Sequence, residues 1–424
     1  MAGKKGVTPK HIKQKQFIHP GIDHPAIQIL EQIEDPRKPS LFLCYSSTSV
    51  LFMVLAAFLC GATDWPKVVA MAEGMIDWLA NYVDMSSGVP CERTFKNLMN
   101  AIEPSSMEKA LRELASLVRE KKSKEVVSFD GQTEKGTADK YTGMKGIHLL
   151  SAWSSDNNIC LGQIKVDDKS NEITATPELM DMLDLHGTII TADALNTQKT
   201  IAAKAIAKGG DYILPVKGNH SCLLQDIALA FDGIEIEQAR EKMQWERAIG
   251  KAKENRDKAR LQRLIEKGAS ACGAHTKNEI EKSRGRVEIR QCTAIQAKNL
   301  PSSEGWQKLR SLVRIKRERV EGEKKSCEIV YYISSLKAAD VEIIGQSVRQ
   351  HWGVEGLHWY LDVVFRQDKS RYRNRIGARN LAIIRKIALN ALANETSFKG
   401  GIATKQCVAC CNPTYREKLV KKLF

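Results

Sequence analysis

The sequence predicts a mixed α/β fold that follows a helical N-terminal domain and is interrupted by an insertion before the last helices. Helical periodicity dominates residues 23–122. Short β-rich runs that alternate with a helical pattern come next, as in a mixed sheet. A charged segment at about 220–325 breaks this alternation before helical sequence resumes. The 424 residues suffice for a large core.

The N-terminal part begins with a basic, polar segment, residues 1–22, which we interpret as a flexible arm. Residues 26–33 have helical periodicity, and Asp64 is a plausible N-cap of a further helix. Another helix begins near Pro90, and Ser105 or Ser106 is expected to cap one that follows. These signals predict four or five helices.

One apolar stretch, residues 41–61, resembles a membrane span in length. Its first half contains Tyr45 and a run of serines and a threonine, which leaves a shorter apolar core. A buried helix of the N-terminal domain is therefore favoured, and we expect no membrane partner. The N-terminus lacks the apolar core of a secretory signal, so we expect a cytoplasmic protein.

The β-rich runs define the expected sheet, within a catalytic domain at 123–396. A helix at 197–208 separates the last two runs. The insertion is predicted to contain a charged helix at 235–267 followed by three strands. Residues 397–424 are expected to be a basic tail. The runs expected to be strands are 126–130, 147–153, 159–166, 188–193 and 212–216, and in the insertion 286–293, 312–317 and 328–334.

Charge and cysteine content narrow the function classes. The net charge is +15 and the pI about 9.2, which indicates a polyanionic partner, with nucleic acid the default. The 11 cysteines are scattered, as reduced core cysteines are, and do not indicate a disulfide framework. Cys407, Cys410 and Cys411 form a cluster that could ligate zinc, but no second ligand pair follows with finger spacing.

Three carboxylates carry the candidate chemistry. Asp130 and Asp193 each end a β-rich run, and Glu355 lies in the helix-like stretch 351–359. Two acids at strand ends and one on a distant helix suit a shared pair of divalent cations, Mg²⁺ or Mn²⁺. Two such ions can break and join phosphodiester bonds. We therefore expect the three carboxylates to converge within metal-sharing distance, for ions about 3.5–4 Å apart.

Each acid also has a structural interpretation. Asp130 and the glycine after it are typical of a turn, and Asp193 is a plausible helix cap. Glu355 could be a solvated helix position. The combination of the three acids with the basic net charge favours the metal site.

Ordered sequence blocks then point to a family. The most specific are 129–132 (Phe-Asp-Gly-Gln), 191–194 (Thr-Ala-Asp-Ala) and 351–365, which starts His-Trp-Gly-Val-Glu. From about residue 31 to 394 the chain resembles the H-repeat-associated, ISAs-type insertion-sequence transposases, a branch of the DDE transposases with a ribonuclease-H-like core. The resemblance implies that Asp130, Asp193 and Glu355 are the metal ligands.

The resemblance also implies an activity and partners. The expected reactions are DNA cleavage at the ends of an insertion sequence and strand transfer into target DNA. The helical domain at 23–122 would bind the DNA ends, and the protein would act as a homodimer on double-stranded DNA, associated with the bacterial nucleoid. The chain departs from a Tyr/Arg/Glu/Lys signature found elsewhere in the superfamily, with Val348, His351 and Asp362 in three of its places. A degenerate copy that binds DNA without catalysis, or a plain nuclease, is the alternative.

Basic residues near the glutamate are candidate DNA contacts. Residues 366–386 contain eight basic side chains and one acid, and such a run after the catalytic helix can grip phosphates. His351 could contact the scissile phosphate or be a structural histidine. Trp352 and Trp359 are expected to be packing residues rather than base-stacking ones. The candidate contacts are Lys217, His351, Arg366, Lys369, Arg371, Arg373 and Arg375.

Overall fold

The computed structural model describes residues 24–40, 42–167, 171–251, 273–283, 286–298 and 300–423. The predicted basic arm at 1–22 and the part of the predicted charged helix beyond residue 251 lie outside the described residues.

The N-terminal helices pack around α2, in which every residue is buried. The apolar stretch is thus a core helix, and among the described residues no helix combines the length and apolarity that a bilayer crossing requires. Asp64 caps α3 as predicted, since its carboxylate accepts a hydrogen bond from the backbone N–H of Lys67. The helices are α1 (Pro25–Glu31), α2 (Ser47–Leu59), α3 (Trp65–Gly74), α4 (Ile76–Leu79), α5 (Glu92–Ala101) and α6 (Pro104–Val118).

The start of α6 corrects one sequence prediction. Its N-cap is Glu103, and Pro104 occupies the first helical position. Proline suits that position because its fixed φ matches the helix and its missing N–H would be unpaired there anyway. Ser105 and Ser106 therefore lie inside the helix and do not cap it.

The central sheet has the strand order β3-β2-β1-β4-β5 and continues into the insertion. The first three strands pair antiparallel, whereas β4 and β5 run parallel to β1. This arrangement confirms the predicted mixed, ribonuclease-H-like core. Its elements are β1 (Val126–Glu134), β2 (Ile147–Ser154), β3 (Ile159–Lys165), α7 (Glu172–Asp181), β4 (Ile189–Ala192), α8 (Lys199–Ala207) and β5 (Asp211–Val216).

The insertion extends this same sheet. β9 pairs antiparallel with β5, so that the strand order continues β9-β8-β7-β6. Sequence reasoning missed β6, because its polar residues leave it without the apolar alternation of a half-buried strand. The elements are α9 (Ser221–Lys251), β6 (His275–Ser283), β7 (Arg286–Gln296), β8 (Ser311–Glu321) and β9 (Lys324–Ser334).

The C-terminal helices close the core from the other end of the chain. Residues 397–424 are expected to be a basic tail. In the described part of this segment, Ile402–Cys411 and Pro413–Lys421 form two helices, and Tyr415 and Leu419 are buried in the same apolar cluster as α2. Helix α12 joins that cluster to the sheet. The elements are α10 (Val341–His351), α11 (Gly353–Trp359), a π-helical turn (Tyr360–Val364), α12 (Arg375–Asn394), α13 (Ile402–Cys411) and α14 (Pro413–Lys421).

Candidate active site

Asp130, Asp193 and Glu355 line one cavity of about 260 Å³. Asp193 directly follows β4, whose last residue pairs with Phe129, so the two aspartates emerge where the parallel pairing stops. Asp130 does not end its strand as predicted, because β1 continues to Glu134 through antiparallel pairing with β2. Glu355 lies in α11 and is exposed. The fold thus brings together three acids that are far apart in sequence.

The environment of Asp130 is strongly acidic. Burial and the negative charges of Glu172, Asp193 and Glu355 raise the pKa of Asp130 to about 7. His358 lies close, with its Nδ1 3.5 Å from Asp130 Oδ2. Burial lowers the pKa of His358 to about 4, so this imidazole is neutral near pH 7 and does not offset the carboxylates. The negative charge around Asp130 is therefore not compensated by His358 when the acids are ionised.

Asp193 is held by Asn196. One oxygen, Oδ1, accepts hydrogen bonds of 2.9 Å from both the backbone N–H and the side-chain amide of Asn196. The N-cap of α8 is Gln198, so Asp193 is not the helix cap that its sequence context suggests. It closes a turn between β4 and α8, and that turn orients its carboxylate at the cavity.

Glu172 is a fourth acid that sequence reasoning did not single out. It is the first residue of α7 and accepts hydrogen bonds from His148 Nε2 at 2.8 Å and Asn196 Nδ2 at 2.9 Å. Burial opposes its ionisation, but these hydrogen bonds hold the pKa of Glu172 below its ordinary value. Asn196 thus links Glu172 to Asp193. The sequence signal that could have found Glu172 is the block 169–174 (Lys-Ser-Asn-Glu-Ile-Thr), which the chain shares with the transposases that it resembles.

Gly131 provides the space for this arrangement. A Cβ atom at residue 131 would lie 2.6 Å from both Glu172 Cδ and His148 Nε2, whereas one at Gly356 in α11 would meet nothing within 4 Å. We expect Gly131→Ala to lower the free energy of unfolding by about 1–3 kcal/mol through overpacking. The matched control, Gly356→Ala, should be neutral or stabilising by up to about 1 kcal/mol. Urea unfolding of both variants tests this difference, and equal effects would contradict it.

The acids fit a divalent cation by chemistry and location, because carboxylate oxygens are the ligands that Mg²⁺ and Mn²⁺ prefer. They are not gathered into a ligand set: among the described residues, no three His, Cys, Asp or Glu side chains lie close enough together to hold an ion. The expected convergence to metal-sharing distance is therefore absent, and the acids share a cavity only.

Two of the candidate DNA contacts lie at this cavity. Lys217, exposed after β5, and His351, in the last turn of α10, both line it. His351 Nδ1 pairs with Thr191 Oγ1 at 3.0 Å, and burial lowers the pKa of His351, so the ring is neutral at pH 7. These contacts support the structural interpretation of His351, while Lys217 is exposed at the cavity.

The other candidates lie elsewhere. Arg366, Lys369 and Arg371 line a second cleft of about 430 Å³, which they share with Trp65 and Lys96 of the helical domain. Arg373 pairs with Asp139 at 3.0 Å, and Arg375 is half-buried. The basic run is thus divided between different environments.

Two members of the basic run do not face solvent at all. Arg385 and Lys386 are 1% and 2% exposed, which corrects their assignment to a phosphate-gripping face. Lys386 Nζ donates to Ser151 Oγ at 2.9 Å and to Gln163 Oε1, and Ser151 is the strand partner of Asp130. Lys386 therefore supports the sheet behind the candidate site.

The two tryptophans, predicted to be packing residues, are partly exposed. Trp352 and Trp359 are 47% and 55% exposed, and the Trp359 ring lies 5.2 Å from the ring of Tyr360. The guanidinium of Arg317, on β8, lies 5.2 Å from the Trp352 ring centre. Arg317 and Glu328 of the insertion line the carboxylate cavity as well, and sequence reasoning found neither.

Comparisons with known proteins agree with this architecture. The family model described as "Transposase DDE domain" matches residues 121–391, and a second, described as "DDE_Tnp_1-associated", matches residues 27–115. "Putative transposase YncI" of Escherichia coli O157:H7 is 31% identical over 377 residues, which cover 88% of this chain and 88% of that protein. "H repeat-associated putative transposase YhhI" of Escherichia coli K12 is 32% identical over 376 residues, 87% and 90% of the two chains.

Among solved structures, the piggyBac transposase in its synaptic complex with hairpin DNA has a TM-score of 0.38 and 10% identity, over 92% of this chain and 77% of that one. The family model alone spans more than half of the chain, and the relatives align over most of their length. The chain belongs to the transposase DDE domain family.

Proposed function

We propose that the protein is a DNA transposase that cleaves DNA at insertion-sequence ends and joins the ends to target DNA at the carboxylate cavity. The observation that carries the proposal is the meeting of Asp130, Asp193 and Glu355 on one cavity, where burial and neighbouring acids raise the pKa of Asp130 to about 7. Acids that repel one another in this way form a site that a cation stabilises. Membership in the family supports the same activity.

We expect the three acids to hold two divalent cations, Mg²⁺ or Mn²⁺. When bound, such ions activate water or a 3′-hydroxyl as the nucleophile and stabilise the leaving oxygen. Asn196 orients Asp193 through its two hydrogen bonds, and His148 and Asn196 fix Glu172 behind Asp130. These contacts would hold the carboxylates of Asp193 and Glu172 in position before DNA binds.

DNA would be held by the basic surfaces beside the cavity. Lys217 lies at the cavity itself, and Arg366, Lys369 and Arg371 lie in the cleft shared with the helical domain. Phosphate contacts of this kind position a duplex without reading its sequence. We propose double-stranded element ends and target DNA as the partners, with two copies of the chain acting on them together.

The direct test uses the purified full chain, Mg²⁺, DNA fragments that carry the ends of the encoding element, and a target plasmid. The proposal predicts nicked ends, free 3′-hydroxyl groups and joint molecules, and their loss on chelation. Cleavage without joint molecules would instead identify a plain nuclease.

A second candidate function is DNA binding without catalysis. It is favoured by one observation: among the described residues, no three His, Cys, Asp or Glu side chains are grouped closely enough to hold an ion. This candidate predicts retention of end fragments on the protein with no cleavage at any Mg²⁺ or Mn²⁺ concentration. Metal-dependent nicking by the wild type would exclude it.

A further inference from the structure

The insertion contributes a cation to the carboxylate cavity. Arg317, on β8, lines the cavity beside Glu328 of β9, and its side chain is 18% exposed. The strands that carry these residues belong to the same sheet as β1 and β4, which bring the aspartates. The wall of the candidate site is therefore built partly from the insertion.

Part of the hydrogen-bonding capacity of Arg317 is unused within the described residues. Its Nε lies 3.6 Å from Glu288 Oε1, an ion-pair distance that is too long for a hydrogen bond, and its Nη1 donates one long hydrogen bond of 3.4 Å to Glu328 Oε2. Its Nε is buried and has no hydrogen-bond partner among the described residues. A guanidinium has five N–H donors, and leaving buried donors unpaired is unfavourable. An anionic ligand in the cavity would satisfy them.

Glu288 holds Arg317 in place together with three other arginines. It is only 5% exposed, and its carboxylate lies 2.5 Å from Arg290, 3.3 Å from Arg319 and 3.9 Å from Arg286. One carboxylate with two oxygens thus faces four guanidinium groups. More distant acids offset part of this charge, Glu281 at 3.8 Å from Arg290 and Glu328 at Arg317. Glu288 therefore anchors the arginines without saturating their donors.

The second support of Arg317 is Trp352. The guanidinium lies 5.2 Å from the ring centre, a cation–π distance, and the ring is half-exposed. Trp352 is the N-cap of α11, the helix that carries Glu355. The stacked pair thus connects the insertion to the element that presents the third acid.

We propose that Arg317 binds a phosphate of the DNA strand that occupies the carboxylate cavity, with Glu288 as its positioning residue. The inference rests on the proposed function, because it takes the cavity to be where DNA is cleaved. Guanidinium and phosphate match in charge and in paired hydrogen-bond geometry. Glu328, which is 62% exposed and makes only a long contact with Arg317, would give way to the phosphate.

The test combines variants of Arg317 with DNA in which single phosphates are replaced by neutral methylphosphonates. Binding is measured without divalent metal, and cleavage with Mg²⁺. Arg317→Ala should reduce cleavage by about 10–100-fold, the loss expected for one charged hydrogen bond to a phosphate. The matched control is Arg319→Ala, because Arg319 also contacts Glu288 but does not line the cavity. It should change cleavage by less than about 3-fold.

Two further readouts separate a phosphate contact from a structural role. One methylphosphonate that weakens DNA binding by the wild type should have no further effect on binding by Arg317→Ala. Arg317→Lys should recover part of the lost cleavage, since lysine keeps the positive charge but not the paired donors of the guanidinium. Glu328→Gln should strengthen binding, because it removes a competing carboxylate. Glu288→Gln should weaken it at the same DNA position as Arg317→Ala.

The outcomes distinguish this inference from the proposed function. If the wild type cleaves DNA and Arg317→Ala stays sensitive to every methylphosphonate to which the wild type is sensitive, Arg317 is not a phosphate contact. If the wild type never cleaves but one phosphate maps to Arg317 in binding, the proposed function fails while the contact stands. Should Arg317→Ala not fold, the same mapping on Arg317→Lys decides the matter, with reduced sensitivity at one position as support and unchanged sensitivity as refutation.

Discussion

Replacing Asp130 with asparagine should reduce Mg²⁺-dependent DNA cleavage by at least about 10³-fold, which corresponds to about 4 kcal/mol of transition-state stabilisation. Asparagine keeps the shape of the side chain but removes the charge that faces Glu172, Asp193 and Glu355. DNA binding measured without metal should be unchanged or slightly stronger, because the substitution removes a carboxylate that repels phosphate. Cleavage of labelled end fragments under single-turnover conditions provides the measurement.

The other two acids should behave alike if all three hold the cation. Asp193→Asn and Glu355→Gln should each lose cleavage on the same scale, although both keep the size of the side chain. Glu178→Gln is the matched control, since Glu178 is an exposed acid on α7, the helix that begins with Glu172. Full activity in the three variants would show that the metal assignment is wrong.

The stability of the metal-free protein gives an independent readout on Asp130. Its pKa rises on folding to about 7, so between about pH 4 and pH 7 the folded chain retains a proton that the unfolded chain has released. The free energy of unfolding therefore falls as pH rises through this window. Asp130→Asn should remove this fall and stabilise the metal-free protein at pH 8 by about 2–4 kcal/mol, with a much smaller effect at pH 4. Urea unfolding in chelator measures it, and an unchanged pH profile would contradict the buried, acidic environment.

The core strands were predictable because each contains a run of apolar, often β-branched residues that the fold buries. The continuation of β1 beyond Asp130 was not, because Gly131 and Gln132 have no apolar alternation and are specified by pairing with β2. For the same reason the polar strand β6 escaped prediction. The local pattern of apolar residues indicates which strands are buried. The pairing of a polar strand depends on its neighbouring strand, which local sequence does not reveal.

The residues of the candidate site likewise differ in how well the sequence predicted them. Asp130, Asp193 and Glu355 stand out because each lies in a distinctive local sequence. Glu172 and Arg317 were not singled out, and only the fold shows that they lie beside these acids. The pattern of basic residues gave a wrong prediction because it does not show which side chains the fold buries. Arg385 was assigned to a basic surface, yet α12 is enclosed by other helices and the sheet, so its side chain is buried.

Helix α12 also provides a prediction about stability. Asn390, 5% exposed, joins it to β3, the edge strand of the sheet. Its Oδ1 accepts from the backbone N–H of Cys160 at 2.8 Å, and its Nδ2 donates to the Cys160 carbonyl at 2.9 Å. An edge strand has one side without a strand partner, and a buried backbone group left unpaired there is unfavourable by about 1–3 kcal/mol.

Asn390→Ala should therefore lower the free energy of unfolding by about 2–4 kcal/mol, since it leaves two buried backbone groups unpaired. Asn394→Ala, one turn later, is the matched control, because within the described part of the chain the Asn394 side chain donates only to the Asn390 carbonyl and should matter by less than about 1 kcal/mol. Equal effects in urea unfolding would refute the role of Asn390. Asn390→Ala should also keep its cleavage rate per folded molecule, whereas Asp130→Asn should lose cleavage and gain metal-free stability. This opposite behaviour would distinguish residues that stabilise the sheet from residues that act in the carboxylate cavity.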